Sequence, residues 1–213
     1  MHRLGIDKNE ILDAINIIKN SKLKLKGIYT HFCSQDNTQQ KEIFKNIIDT
    51  YFYQDKLIIH SQASNFINEE LSYCNTIRVG LALYGYNPYL ELKPSLRLIC
   101  PIIRIQKINK DVEVGYDYIE KTPNNGYILT LPFGYSHGLS RLKTLCFFYQ
   151  NKIYYQIGKQ CMDMTMFFSK EDIPLEEVEI ISSNNTNNLI SLNNENIYYI
   201  LSSLSPNIKR IYK

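Results

Sequence analysis

The chain has 213 residues, 44% of them apolar and 21% charged, with a formal net charge of +3. That balance describes an ordinary globular protein with room for one large domain or two small ones; its charge is too small and scattered for a nucleic-acid surface, and no apolar run is long enough to span a bilayer. Five cysteines (33, 74, 100, 146 and 161) without a C-x-x-C pair favour reduced thiols in the cytoplasm over a disulfide framework or a metal site.

Asp7 with Glu10 three residues on reads as a capping box, and Ile11, Leu12, Ile15 and Ile18 then give one face of a helix. Gly27 stops it, and residues 27–31 (GIYTH) read as a short buried strand. A second helix fits from about Thr38 to Tyr53, with Ile43, Ile47, Ile48 and Tyr51 on one side. Residues 57–60 (LIIH) form another strand, FINEELSY a short helix, and residues 77–79 a third strand. Strand and helix alternating at this spacing mean parallel strands joined by crossovers, part of an α/β layer or barrel.

The polar residues fall along one edge of that layer. His31 ends the first strand, Ser64 lies just beyond the second, and Arg78 with Gly80 sits at the third. Each alone has a structural explanation: a satisfied strand-end histidine, a helix cap, a surface ion-pair partner. Together they mark the carboxyl edge of parallel strands, where ligands bind in α/β folds.

From Ser95 the rhythm changes. SLRLICPIIRIQKI, EVGYDYIE, GYILTLPFGY, TLCFFYQ, KIYYQIGKQ and MDMTMFF are β-rich, with turns at NNG (124–126) and QNK (150–152). Tyr116 follows a glycine in one of these strands. The asparagine-rich stretch from Asn184 to Asn196 reads as a polar loop running into a last helix at about Asn193 to Leu204. The expected fold class is α/β plus all-β: a partial α/β unit over residues 1–92, then a mostly antiparallel β domain over residues 93–213, with the join near Pro88–Pro94.

Eight segments occur in the order found in alanine racemases: MHRLGI, GIYTHFCSQD, HSQAS, IRVGLALYG, VGYDYIE, LPFGYSHGLSR, IGKQCMDMTMFF and YYILSSLSPNIKRIY. The chain resembles the C-terminal part of such an enzyme, and HSQAS resembles the serine/alanine racemase branch. That resemblance implies the C-terminal part of a TIM-type barrel followed by a β domain. It also implies a pyridoxal 5'-phosphate-dependent homodimer that interconverts L- and D-alanine, or serine, and supplies D-alanine for peptidoglycan. By motif, Tyr116 matches the catalytic tyrosine, which acts in the partner subunit's site; His31 links it to Arg78, which meets the cofactor's pyridine nitrogen. Ser64, Gly80, Leu81 and Tyr198 match positions that hold the phosphate, Arg3 lies near the substrate, and Met162 and Asp163 approach the substrate carboxylate.

Three departures stand out. Ala63 replaces a common asparagine, and His137 replaces the aspartate of G-Y-x-D-G, which is expected to weaken a structural hydrogen bond. The family's cofactor lysine lies upstream of M-x-R-L-G, and Met1 lies inside that motif; Lys8, Lys19, Lys22, Lys24 and Lys26 fall in the wrong element to replace it. The expectation is a C-terminal portion inactive alone, acting as a homodimer or with a separate N-terminal half. The alternative is a non-catalytic remnant or dimerisation protein that keeps the racemase β domain.

Overall fold

A computed structural model describes residues 3–32, 34, 36–53, 56–87 and 89–212; Met1, Cys33 and Pro88, named above, lie outside them. The chain divides into two units, Met1–Lys93 and Pro94–Lys213.

In the first unit the Asp7–Glu10 capping box forms, with Asp7 Oδ1 accepting from Asn9 N–H and Glu10 from Asp7 N–H. It opens a 3-10 turn that runs into α1 (Ile11–Lys19). Strands β1 (Gly27–Tyr29) and β2 (Ile58–His60) pair in parallel, with Tyr29 opposite His60, and α2 (Thr38–Tyr51) is the crossover between them. The spacing of apolar residues in α2 turns Phe44 and Ile48 onto Ile59, and these three side chains form a buried cluster, with Ile11, Phe32 and Phe52 buried outside it. Gly27 is required by a close approach, since a Cβ there would lie 2.4 Å from the Ile58 carbonyl oxygen.

Two expected elements of this unit do not form. Residues 77–79 are coil: Asn75 and Thr76 N–H both donate to the one carbonyl of Ile59, and Arg78 N–H reaches Gln62 O at 3.2 Å, so no regular ladder develops. In place of the FINEELSY helix there is a 3-10 turn, Ser64–Phe66, followed by turns. The buried Gln62 side chain takes the Glu69 carbonyl at 2.5 Å, an acceptor that a continuing helix would have used.

The second unit is antiparallel. Its strands are β3 (Leu98–Pro101), β4 (Arg104–Ile108), β5 (Glu113–Val114), β6 (Glu120–Lys121), β7 (Gly126–Leu131), β8 (Cys146–Tyr149), β9 (Lys152–Tyr155), β10 (Thr165–Ser169) and β11 (Glu177–Ile181). β7 lies between β10 and β4, β3 pairs with β11, β5 with β6, and β8 with β9. The β8–β9 hairpin turns at Gln150 and Asn151, φ 45° and 61°, the two left-handed residues of a tight hairpin whose twist matches its strands. Alternation along β10 sends Thr165, Phe167 and Ser169 inward. Phe167 packs on Phe147, centroids 5.2 Å apart, and Phe147 stacks on Tyr154 at 5.0 Å. Seventeen buried side chains form one continuous cluster around this stack.

The asparagine-rich stretch is helical where a loop was expected. α3 (Thr186–Asn193) forms although asparagine is a poor helix former, because Leu189 is fully buried in the core. The buried Asn185 amide also donates to the Cys146 and Ile180 carbonyls, each at 2.7 Å. Asn194 in the left-handed region ends this helix, and Asn196 caps α4 (Ile197–Ser203), which is shorter than the helix expected at 193–204.

Candidate active site

His31 and Arg78 meet at the carboxyl edge of the parallel pair. His31 follows β1 by two residues, and Arg78 is brought back over the strand ends by the Asn75–Arg78 bonds to Ile59 and Gln62. An Arg78 terminal nitrogen lies 2.8 Å from His31 Nδ1 and 3.3 Å from the Thr30 carbonyl. A guanidinium keeps its protons at any relevant pH, so it is the donor here and His31 Nδ1 is the acceptor. The His31 proton therefore sits on Nε2. Burial first, then the charges of Arg78 and Arg3, hold the His31 pKa below its ordinary value, which favours this neutral form.

The guanidinium also lies over the Tyr29 ring, 5.0 Å from its centroid, and Tyr29 stacks on its register partner His60 at 5.0 Å and 15°. The His60 pKa is likewise lowered, by burial and then by Arg78. Arg78 Nε and His60 Nδ1 are both buried and make no hydrogen bond among the described residues. Such orphaned polar atoms are costly in a protein interior, and they fit a ligand that brings its own acceptor to Arg78.

Ser64 makes the second half of this edge. It is buried, and its hydroxyl oxygen accepts from the backbone N–H groups of Gly80 and Ala82, both at 3.1 Å. The Asn87 side-chain amide donates to the Ser64 carbonyl. Leu81 opens the 3-10 turn Leu81–Tyr84, and a Cβ on Gly80 would meet no atom within 4 Å, so the turn's amide face is open to approach. With two amides already directed at its oxygen, the Ser64 hydroxyl proton remains free to donate, as an anionic oxygen requires. These residues fit a phosphorylated pyridine: a cation with an unfilled donor at one end, a hydroxyl and backbone amides at the other. Arg3 is exposed and acts on His31 through its charge alone.

The remaining named residues lie in the second unit. Tyr116 is on a 3-10 turn where a strand was expected, because Gly115, Asp117 and Tyr118 all have positive φ (75°, 59° and 50°) and no strand passes through such angles. Tyr116 is 66% exposed, which leaves its phenol accessible. Met162 and Asp163 are exposed on a loop whose carbonyls at Cys161 and Met162 accept from Tyr135 and Ser136 N–H. Tyr198 lies on α4, half exposed. At His137 the Nδ1 accepts from Gly134 N–H at 3.2 Å and the ring stacks on Phe133, so the turn has a side-chain acceptor at this position.

Sequence reasoning did not single out Tyr29 and His60, which the parallel register sets side by side against Arg78. The signal was present, because both lie in the two motifs that supplied His31 and Ser64. Among the described residues no group of three acidic, histidine or cysteine side chains could hold a metal, and no helix is long and apolar enough to cross a membrane.

The family model described as "Alanine racemase, N-terminal domain" matches residues 1–88, and "Alanine racemase, C-terminal domain" matches residues 95–212. An alanine racemase of Treponema denticola is 30% identical over 187 residues, covering 78% of this chain and 49% of the relative. One of Rickettsia bellii is 32% identical over 238 residues, covering 100% of this chain and 56% of the relative. Among solved structures, alanine racemase of Clostridium difficile superposes with a TM-score of 0.88 at 25% identity, covering 100% of this chain and 62% of the other. The chain thus spans about half to three-fifths of the length of the relatives it matches. Its fold is the C-terminal part of a TIM-type barrel followed by a mostly antiparallel β domain, and the chain belongs to the alanine racemase family, whose enzymes depend on pyridoxal phosphate.

Proposed function

We propose that this chain carries the cofactor-facing residues of an amino-acid racemase site in 1–92 and, in 93–213, the proton-transferring tyrosine that acts in the partner subunit's site. The protein it represents interconverts L- and D-alanine, or serine, by proton exchange at Cα, works in the cytoplasm as a homodimer, and feeds D-alanine to peptidoglycan. The observation that carries this reading is the Arg78 guanidinium, fixed by His31 and Tyr29, with its buried Nε unfilled at the strand ends.

Pyridoxal phosphate, when bound, supplies an electron-withdrawing ring that acidifies the substrate's Cα–H. Arg78 would hold the pyridine nitrogen by donating to it and, because a guanidinium does not surrender a proton, would leave that nitrogen unprotonated and temper the ring's electron demand. His31, neutral with its proton on Nε2, orients Arg78 and can pass a hydrogen bond onward. Ser64 would hold the phosphate by a hydrogen bond from its hydroxyl, which Gly80 N–H helps to orient, with the Leu81 amide and the Tyr198 hydroxyl as further donors. Tyr116 gives and takes a proton on one face of Cα. Arg3, Met162 and Asp163 hold the substrate near it.

Co-expression of this chain with the N-terminal half of an alanine racemase relative tests the reading through solvent exchange of the alanine Cα proton. Exchange is expected in both directions, and Tyr116→Phe is expected to lower it at least about 100-fold, the scale of a lost general acid or base, while cofactor binding is retained. Equal turnover by Tyr116→Phe would remove Tyr116 from the chemistry.

A further inference from the structure

We infer that Glu120 and Lys159 are positioning residues for Tyr116, fastening its turn to the facing loop at Ile157–Gln160. The inference deepens the reading of Tyr116 as the proton carrier, and its functional meaning rests on that reading.

The turn needs an external hold. Gly115, Asp117 and Tyr118 occupy the left-handed region, which side chains other than glycine adopt only when their surroundings enforce it. Among the described residues no hydrogen bond holds the Tyr116 hydroxyl, so the direction of the phenol is set through its backbone.

The facing loop supplies that hold at two points. Gly158 N–H donates to Glu120 Oε2 at 2.5 Å, and the Lys159 ammonium pairs with the Asp117 carboxylate. Val114 lies opposite Glu120 in the β5–β6 pair, so the carboxylate closes the base of the turn while Asp117 is tied at its tip. Gly158 is itself left-handed, φ 71°, and a Cβ there would lie 2.8 Å from the Val114 carbonyl oxygen. A Cβ on Gly115 would stand 3.7 Å from Gly158 Cα. The two glycines thus let the backbones meet, and the two charged groups lock them in register.

The loop that presents Gly158 and Lys159 is fixed from its other end. Ile157 N–H donates to Met166 O, and the carbonyls of Cys161 and Met162 accept from Tyr135 and Ser136. The same loop therefore carries Met162 and Asp163, so one element spaces the tyrosine turn from the pair proposed to approach the substrate. Asp117 and Lys159 are half exposed or more, and an exposed pair of this kind contributes little to global stability; its effect is local registration.

The test is made on the full chain by NMR, with Glu120→Ala, Glu120→Gln, Lys159→Ala and Lys159→Arg as variants. In the parent chain the Gly158 amide proton is expected to lie downfield, as a donor to a carboxylate oxygen does, and to move upfield in Glu120→Ala. Amide exchange over Tyr116–Ile119 is expected to rise about tenfold in Glu120→Ala and Lys159→Ala, the scale of one lost charge-assisted hydrogen bond. Glu120→Gln, which still offers an oxygen to Gly158, and Lys159→Arg, which keeps the cation, restore most of the protection. The Leu129 and Phe167 amides stay protected throughout, separating release of the turn from unfolding.

A Gly158 amide resonance unmoved by Glu120→Ala, or unchanged Tyr116–Ile119 exchange in both alanine variants, overturns the inference. In the co-expressed racemase Glu120→Ala is expected to lower kcat with little change in KM. If the turn is released as stated but Tyr116→Phe leaves turnover intact, the clamp stands and the catalytic reading of Tyr116 falls. If Tyr116→Phe abolishes turnover while exchange in the turn is unmoved, the reading stands and the clamp falls.

Discussion

The two units differ in how they are held and in what they carry. Residues 94–212 enclose one cluster of seventeen buried side chains around Phe147 and Phe167, and the sheet β10–β7–β4 is paired through its full five-residue register. Residues 3–93 bury a cluster of three side chains, Phe44 and Ile48 of α2 against Ile59 of β2, beside a parallel pair of three-residue strands. Among the described residues the smaller core buries more unfilled polar atoms, His60 Nδ1, Gln62 Oε1, Tyr73 OH and Arg78 Nε, against Gln160 Nε2 and Ser203 Oγ in the second unit. Apolar side chains such as Ile17, Leu23 and Ile58 are more than half exposed in it. Stability in this chain follows apolar burial, whereas the polar groups proposed to hold a cofactor collect where burial is least complete.

The largest effect that sharpens this contrast is core truncation. Phe167→Ala is expected to cost the second unit about 3–5 kcal/mol, because the side chain is fully enclosed and its neighbours cannot collapse into the space. Ile59→Ala is expected to cost the first unit about 2 kcal/mol, the low end for an aliphatic residue, since the surrounding shell is open and relaxes. Denaturant unfolding followed by probes in each unit checks both. Equal losses would mean that the first unit is packed as tightly as the second.

A smaller effect separates the units by pH. His31 and His60 both have folded pKa values below 6.5, through burial and Arg78, so the unfolded chain binds protons more tightly than the folded one. The stability they contribute is complete above the unfolded value of 6.5 and is lost as pH falls through it toward the folded values. Acidification over that window is expected to loosen residues 27–82 before the second unit, read by amide exchange in each. An unchanged ratio of protection between the units from pH 7 downward would contradict it. His31→Asn and His60→Asn together should remove the difference.

Much of this organisation was legible in the sequence, and the misses have physical causes. The Asp7–Glu10 box is a local signal that survives folding, whereas of the α2 face expected at Ile43, Ile47, Ile48 and Tyr51 only Ile48 is buried, with Phe44 beside it and Tyr51 exposed. The segment at 77–79 has strand composition, but a strand needs a partner in regular register, and Ile59 O receives two donors from consecutive residues instead. The helix at 186–193 defeats asparagine's poor propensity because one leucine and the buried Asn185 amide connect it to distant carbonyls. Those contacts are tertiary, so no local window contains them. His31, Ser64 and Arg78 were readable from their motifs, while the Glu120–Gly158 bond spans 38 residues and leaves no pattern at either end.

The central claim is that the cofactor-side residues belong to the weaker unit, and residue-resolved amide exchange with and without pyridoxal phosphate tests it most directly. Added cofactor is expected to slow exchange at Gly80 and Ala82, beside the Ser64 hydroxyl, and around Thr30, His31 and Arg78, with residues 126–169 little changed. Ser64→Ala and Arg78→Leu should each remove most of that protection. No change over residues 27–82 at saturating cofactor, or the same protection in Arg78→Leu, would contradict the account.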